Sequence, residues 1–130
     1  MRRYEIGLYE KAMPELSWPE KLAAAKEAGY DFVEISIDAS EEKIARLGMT
    51  REERRALREL LWESGMPLRT MNVSALTKYA LGDEDDAIRE RGLDIARRSL
   101  ALAADLGVPG HQILEGQALT FGDGLQIEGD

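Results

Sequence analysis

Three glycines constrain this chain more than any other feature. Gly29, Gly65 and Gly107 each close a stretch in which apolar residues recur at helical spacing, and each stands before an apolar or mixed run. A helix that must stop and hand the chain to a strand favours glycine at its end, because the left-handed backbone conformation there costs glycine nothing. The interval of roughly forty residues fits one strand–helix unit, and strands that alternate with helices pair in parallel. The expected class is therefore α/β with parallel strands.

The strands follow from period-two patterning. In Asp31–Asp38, Phe32, Val33, Ile35 and Ile37 are β-prone, while Glu34, Ser36 and Asp38 share one face. Polar groups gathered toward the C-terminal end of a strand are how a βα-barrel presents them to a ligand at its top face. A one-sided antiparallel strand with its polar face in water fits the same pattern. Tyr4–Tyr9 reads as a first strand, with Gly7 permitting close approach of another backbone or a ligand, and Pro67–Val73 as a third.

Helix starts are equally explicit. Ser17-Trp18-Pro19-Glu20 and Thr50-Arg51-Glu52-Glu53 are capping boxes, and Ser40-Glu41-Glu42 opens a short helix that Gly48 should close. The longest helix begins in the acidic run Asp83–Asp86, a solvated helix start rather than a metal site, and carries Ile88, Gly92, Ile95, Ser99, Leu102 and Leu106 on its core side. Trp18 and Trp62 read as helix-packing residues, and Ser74–Gly82 as a loop. After Gly107 the pattern fails. Val108-Pro109-Gly110-His111-Gln112 has proline and glycine where a buried strand needs packing side chains, and only Ile113 and Leu114 suit one. The expected division is a partial barrel domain over 1–108 and an aberrant or disordered tail over 109–130, the product of a shifted reading frame or a degenerate end. The competing expectation is a displaced edge strand at His111–Leu114.

Length and charge narrow the function. At 130 residues the chain is one modest domain, about half of the roughly 250 residues an eight-stranded βα-barrel takes. A net charge of −8 disfavours nucleic acid and anionic membrane surfaces, which call for basic patches. No cysteine is present, so disulfides and thiolate metal sites are excluded and a reducing, cytoplasmic setting is expected. No apolar run approaches membrane-spanning length. Small molecules are the expected ligands.

Gly7-Leu8-Tyr9-Glu10-Lys11-Ala12 with Pro14, then Gly29 to Asp38, Arg46-Leu47, Arg51-Glu52-Glu53-Arg54, Leu81 to Ala87 and Arg91-Gly92-Leu93 stand in a register that resembles one family. It is the L-ribulose-5-phosphate (L-xylulose-5-phosphate) 3-epimerase family, also known as hexulose-6-phosphate isomerases, among the xylose-isomerase-like TIM barrels. The resemblance covers residues 4 to 108 and does not extend into the tail. It implies the N-terminal portion of a (β/α)8 barrel, about three and a half βα units. It also implies inversion at C3 of a phosphorylated ketopentose through a metal-stabilised enediolate, with a carboxylate base, an acid and a divalent cation, Mn, Mg or Zn.

In that family two glutamates, an aspartate and a histidine on later strands do this work, and none of those positions matches a residue here. No catalytic or metal-ligating residue is therefore assigned, no metal is expected for this chain alone, and the chain is expected to be a truncated isomerase, inactive by itself. The second reading is a non-catalytic remnant or interaction module that binds a partner through an open sheet edge, with self-association or a complementing polypeptide as its forms.

Glu34 is the leading candidate for substrate contact, with a structural ion pair as the competing role. Tyr9 and Glu10, at the end of the first strand, and Ser36 follow, with Asp38 behind them. Lys78 is the remaining cation where family members carry a histidine followed by basic residues, here Leu76-Thr77-Lys78. His111, the sole histidine, has no second ligand at metal-binding spacing and is not expected to bind metal.

Overall fold

The computed structural model describes residues 4–109, together with the backbone of Ile113–Leu114, Leu119–Thr120 and Gln126–Ile127. Three strands, β1 (Gly7–Tyr9), β2 (Phe32–Ser36) and β3 (Leu68–Asn72), alternate with helices α1 (Trp18–Glu27), α2 (Glu41–Ala45), α3 (Arg51–Ser64), α4 (Ala75–Lys78) and α5 (Asp86–Leu106). In the main sheet all neighbouring strands run parallel, and β4 (Ile113–Leu114) joins β3 to give the order β1-β2-β3-β4. The antiparallel reading of β2 is thereby excluded.

Helix boundaries fall where the caps place them. Ser17 and Thr50 each accept a hydrogen bond from the backbone of a glutamate three residues on, and each glutamate returns the bond to the cap. Gly29, Gly65 and Gly107 have φ of 87°, 67° and 81°, so all three adopt the left-handed conformation that their positions implied. Gly48 does not. It lies in a 3-10 turn, Arg46–Gly48, that continues α2, and the chain leaves that turn at Met49. The Ser74–Gly82 segment holds the single helical turn α4, which sequence reading missed because four residues are too few to show periodicity.

One face of the sheet is covered by helices. Val33, Ile35 and Ile37 of the second unit and Met71 and Val73 of the third are buried against Leu22 and Ala25 of α1, Leu57 and Leu61 of α3, and Ile95 and Leu102 of α5. Trp18 packs against this core, whereas Trp62 is 87% exposed, so the packing role expected of both tryptophans holds for the first alone. At the strand starts Asp31 fastens β1 to β2. Its carboxylate accepts from Ile6 N at 2.8 Å and its own N–H donates to Ile6 O at 2.8 Å.

The β2–β3 ladder carries an irregularity that matters for the site. Val33 pairs with Leu68, but Glu34 pairs with Thr70, which leaves Arg69 as an extra residue. Such a bulge shifts the alternation of the strand that holds it. Leu68 and Met71, three apart, both face the helices as a result, and Thr70 and Asn72 fall on the opposite face.

The tail expectation meets two observations. Ile113–Leu114, the two residues judged suitable for a strand, do form one, beside β3 in register Met71↔Ile113 and Asn72↔Leu114. Leu119–Thr120 and Gln126–Ile127 form a separate antiparallel pair, β5 and β6. His111 lies outside the described residues.

Candidate ligand-binding face

The face of the sheet turned away from the helices becomes polar toward the C-terminal ends of the strands. Its lower end is apolar. The Phe32 ring lies over Gly7, where a Cβ would overlap it, so the close approach that Gly7 permits is to a neighbouring side chain. Above Phe32, the register places Tyr9 beside Glu34, Glu34 beside Thr70, and Ser36 beside Asn72. Thr70 Oγ1 donates to Glu34 Oε2 at 2.6 Å. Tyr9 Oη and Ser36 Oγ share a hydrogen bond of 3.2 Å. Three of the sequence candidates, Tyr9, Glu34 and Ser36, are thus brought together. Thr70 and Asn72 complete the face and were missed.

Glu10 and Lys78 are placed elsewhere. Glu10 follows β1 directly and so points to the helix side, where it is fully buried. Its carboxylate accepts from Lys21 Nζ at 2.7 Å, from Ser36 N at 2.6 Å and from Arg46 Nη2 at 2.9 Å, and Arg46 Nη1 bonds both Glu10 and the Ser36 carbonyl. Lys43 Nζ stands 3.8 Å away. Trp18 shields the cluster, with Lys21 Nζ 5.0 Å and the Arg46 guanidinium 5.2 Å from its ring centre.

Burial pushes the Glu10 carboxyl up, but the bonds and charge of Arg46, the Lys21 ammonium and the Ser36 amide outweigh it and hold it below the ordinary carboxylate range. Burial and the neighbouring cations Arg46 and Lys21 lower Lys43 despite the pull of Glu10. Lys78 ends α4, exposed, with its ammonium 5.4 Å from the Tyr79 ring. Asp38 accepts from Ser40 N at 2.8 Å and pairs with Lys11 at 3.2 Å, contacts that lower its carboxyl against the effect of burial. Asp38 is therefore engaged in ordering the loop into α2.

The chemistry open to the polar face is hydrogen bonding to a hydroxylated ligand. Glu34 has one oxygen engaged by Thr70, the Tyr9–Ser36 pair can donate or accept, and Asn72 offers a carboxamide. Among the described residues no three His, Cys, Asp or Glu side chains converge on a point that could hold a metal ion, and a lone carboxylate falls short of the several oxygens a hard divalent cation takes. A groove of about 860 Å³ lies at the other end of the sheet, between Trp62, Leu68, Arg69 and Leu106. It contains none of the sequence candidates, being bounded by the ends of α3 and α5 and the start of β3. No helix among the described residues is long and apolar enough to cross a membrane.

The profile of the xylose isomerase-like TIM barrel family matches residues 22–126. The chain belongs to this family. The matched range begins in α1 and ends at residue 126. L-ribulose-5-phosphate 3-epimerase UlaE of Salmonella heidelberg (strain SL476) is 42% identical over 108 residues, 82% of this chain and 38% of that protein.

Among solved structures, D-psicose 3-epimerase in the presence of D-fructose superposes with a TM-score of 0.68 at 18% identity, over 86% of this chain and 37% of that one. The 3-keto-D-glucoside 4-epimerase YcjR from E. coli gives 0.64 at 24% identity, over 85% and 37%. At these identities the structures speak for the fold, and the chain spans about two fifths of each relative's length. The described sheet is accordingly a TIM-barrel-like partial fold, and its polar face corresponds to the inner, C-terminal surface of such a barrel.

Proposed function

We propose that this chain supplies the β1–β3 portion of the ligand-binding surface of a ketopentose-phosphate 3-epimerase, with Tyr9, Glu34 and Ser36 holding sugar hydroxyls. The similarity to L-ribulose-5-phosphate 3-epimerase over four fifths of the chain carries the reading. The convergence of those three residues on one face supports it. Glu34 accepts from a ligand hydroxyl through the oxygen that Thr70 leaves open, and Thr70 fixes the carboxylate's orientation. The Tyr9–Ser36 pair adapts its donor direction to a second hydroxyl. Phe32, beneath them, gives the ligand an apolar floor.

A divalent cation stabilises the oxyanion formed when a proton leaves the carbon beside a carbonyl. The described residues do not fit one, so no step is assigned to it within this surface. Those groups, and the remainder of the barrel, would come from elements beyond the described sheet. Titration of the chain with L-ribulose 5-phosphate, followed by amide and side-chain NMR, tests the reading. Saturable shifts confined to Tyr9, Glu34, Ser36 and their neighbours are expected, and equal or absent shifts across the sheet would reject it.

A further inference from the structure

We infer that Asn72 is a specificity-determining residue of this face, whose carboxamide oxygen accepts a hydrogen bond from a hydroxyl of the bound sugar. The inference deepens the proposed function and rests on it. Asn72 Oδ1 is buried and has no hydrogen-bond partner among the described residues. A buried carbonyl oxygen left unpaired is destabilising, and native structures rarely keep one without a role for it.

The position gives the reason. Asn72 ends β3 in register with Ser36, on the same face as Glu34 and Thr70, because the bulge at Arg69 turns this part of the strand toward that face. The flanking residues, Met71 and Val73, are buried on the helix side, so the backbone holds Asn72 where it is. Its own backbone is engaged, with Ile37 N donating to Asn72 O at 2.8 Å. What stays adjustable is the terminal torsion of the side chain, which is broad for asparagine. Turning that torsion moves the oxygen without breaking a hydrogen bond of its own, since it makes none among the described residues. The oxygen can therefore come to the ligand side when a hydroxyl is there to donate. The same site would disfavour a ligand with hydrogen in place of that hydroxyl, because the acceptor would then stay unpaired.

The test combines a substitution of similar shape with a ligand probe. Asn72→Leu removes the unpaired oxygen, so the melting temperature is expected to hold or rise while affinity for L-ribulose 5-phosphate falls about tenfold. Asn72→Ala guards against a packing artefact and should show the same loss of affinity. In the unmodified chain, the Asn72 side-chain amide resonances should shift on saturation with the sugar phosphate. Inorganic phosphate alone should not shift them. If Tyr9 and Glu34 respond to the sugar phosphate while Asn72 does not, or Asn72→Leu binds as well as the parent, the Asn72 assignment is wrong and the proposed surface stands. If none of these residues responds, both fall.

Discussion

Glu10 and Glu34 lie close in the fold and are both carboxylates at the upper end of a parallel sheet, yet they sit in opposite circumstances. Glu10 is fully buried among Lys21, Arg46 and Lys43, and one of its acceptor bonds holds the backbone of β2 at Ser36. Glu34 is half-buried, with Thr70 as its hydrogen-bond partner. The difference is one residue of strand phase: Tyr9 faces the polar side of the sheet, so the next residue faces the helices. A carboxylate surrounded by cations fixes loops and strand ends in place. One held by a single hydroxyl leaves its second oxygen without a hydrogen-bond partner among the described residues.

The sharpest way to break this contrast is Glu10→Gln. Removing one member of a buried ion cluster leaves the others uncompensated, and a loss of about 3–5 kcal/mol is expected in urea unfolding. A loss below about 1 kcal/mol would show that the cations find water or other partners. Acid should reproduce part of that loss. Because the folded Glu10 carboxyl lies below its ordinary value of 4.5, its stabilisation is complete above that pH and declines as pH falls through the folded value. Stability measured downward from pH 5 should therefore drop more steeply in the parent than in Glu10→Gln, and parallel curves would count against the assignment.

Two smaller effects sharpen the comparison. Lys43 is the weakest-bound cation of the cluster, so Lys43→Met should change stability by no more than about 1 kcal/mol. A larger loss would mean that Glu10 depends on it. Glu34→Gln should change stability least, by under about 1 kcal/mol, since the amide oxygen can still accept from Thr70. Its effect belongs to binding, with affinity for L-ribulose 5-phosphate weakened about tenfold in calorimetry. A variant that binds normally but melts early would make Glu34 a structural residue.

Much of this fold was legible because its signals are local. Ser17, Thr50 and the three left-handed glycines mark helix ends through their own chemistry, and alternation in Phe32–Ile37 needed no partner to be read. The site was legible along β2, where alternation is clean, and failed where it is not. Nothing in Glu10 itself tells that it faces Lys21 and Arg46, 11 and 36 residues further on. Thr70 and Asn72 were overlooked because Leu68 and Met71 break the period of two, and a bulge is a property of the pairing with β2. A buried residue three positions from another, inside a run otherwise read as a strand, was the available clue. Similarly, Pro109 and Gly110 suggested that the barrel pattern had ended, while Ile113–Leu114 takes its place in the ladder through two residues alone.

The bulge also bears on how such a surface can change over evolutionary time. Arg69 is exposed and pairs with Glu5 at 3.1 Å, between two side chains that are each about half exposed, so its own interactions are weak. Deleting it would leave Leu68, Thr70, Met71 and Asn72 in plain alternation, with Thr70 still opposite Glu34 and Asn72 still opposite Ser36. Substitution or loss of residue 69 therefore keeps the faces of β3, whereas loss of Met71 would bring Asn72 opposite Ile35 and turn it to the helix side. The polar face of β3 thus tolerates a change of length at the bulge but not beyond it, and its chemistry would change by exchanging Thr70 or Asn72 in place.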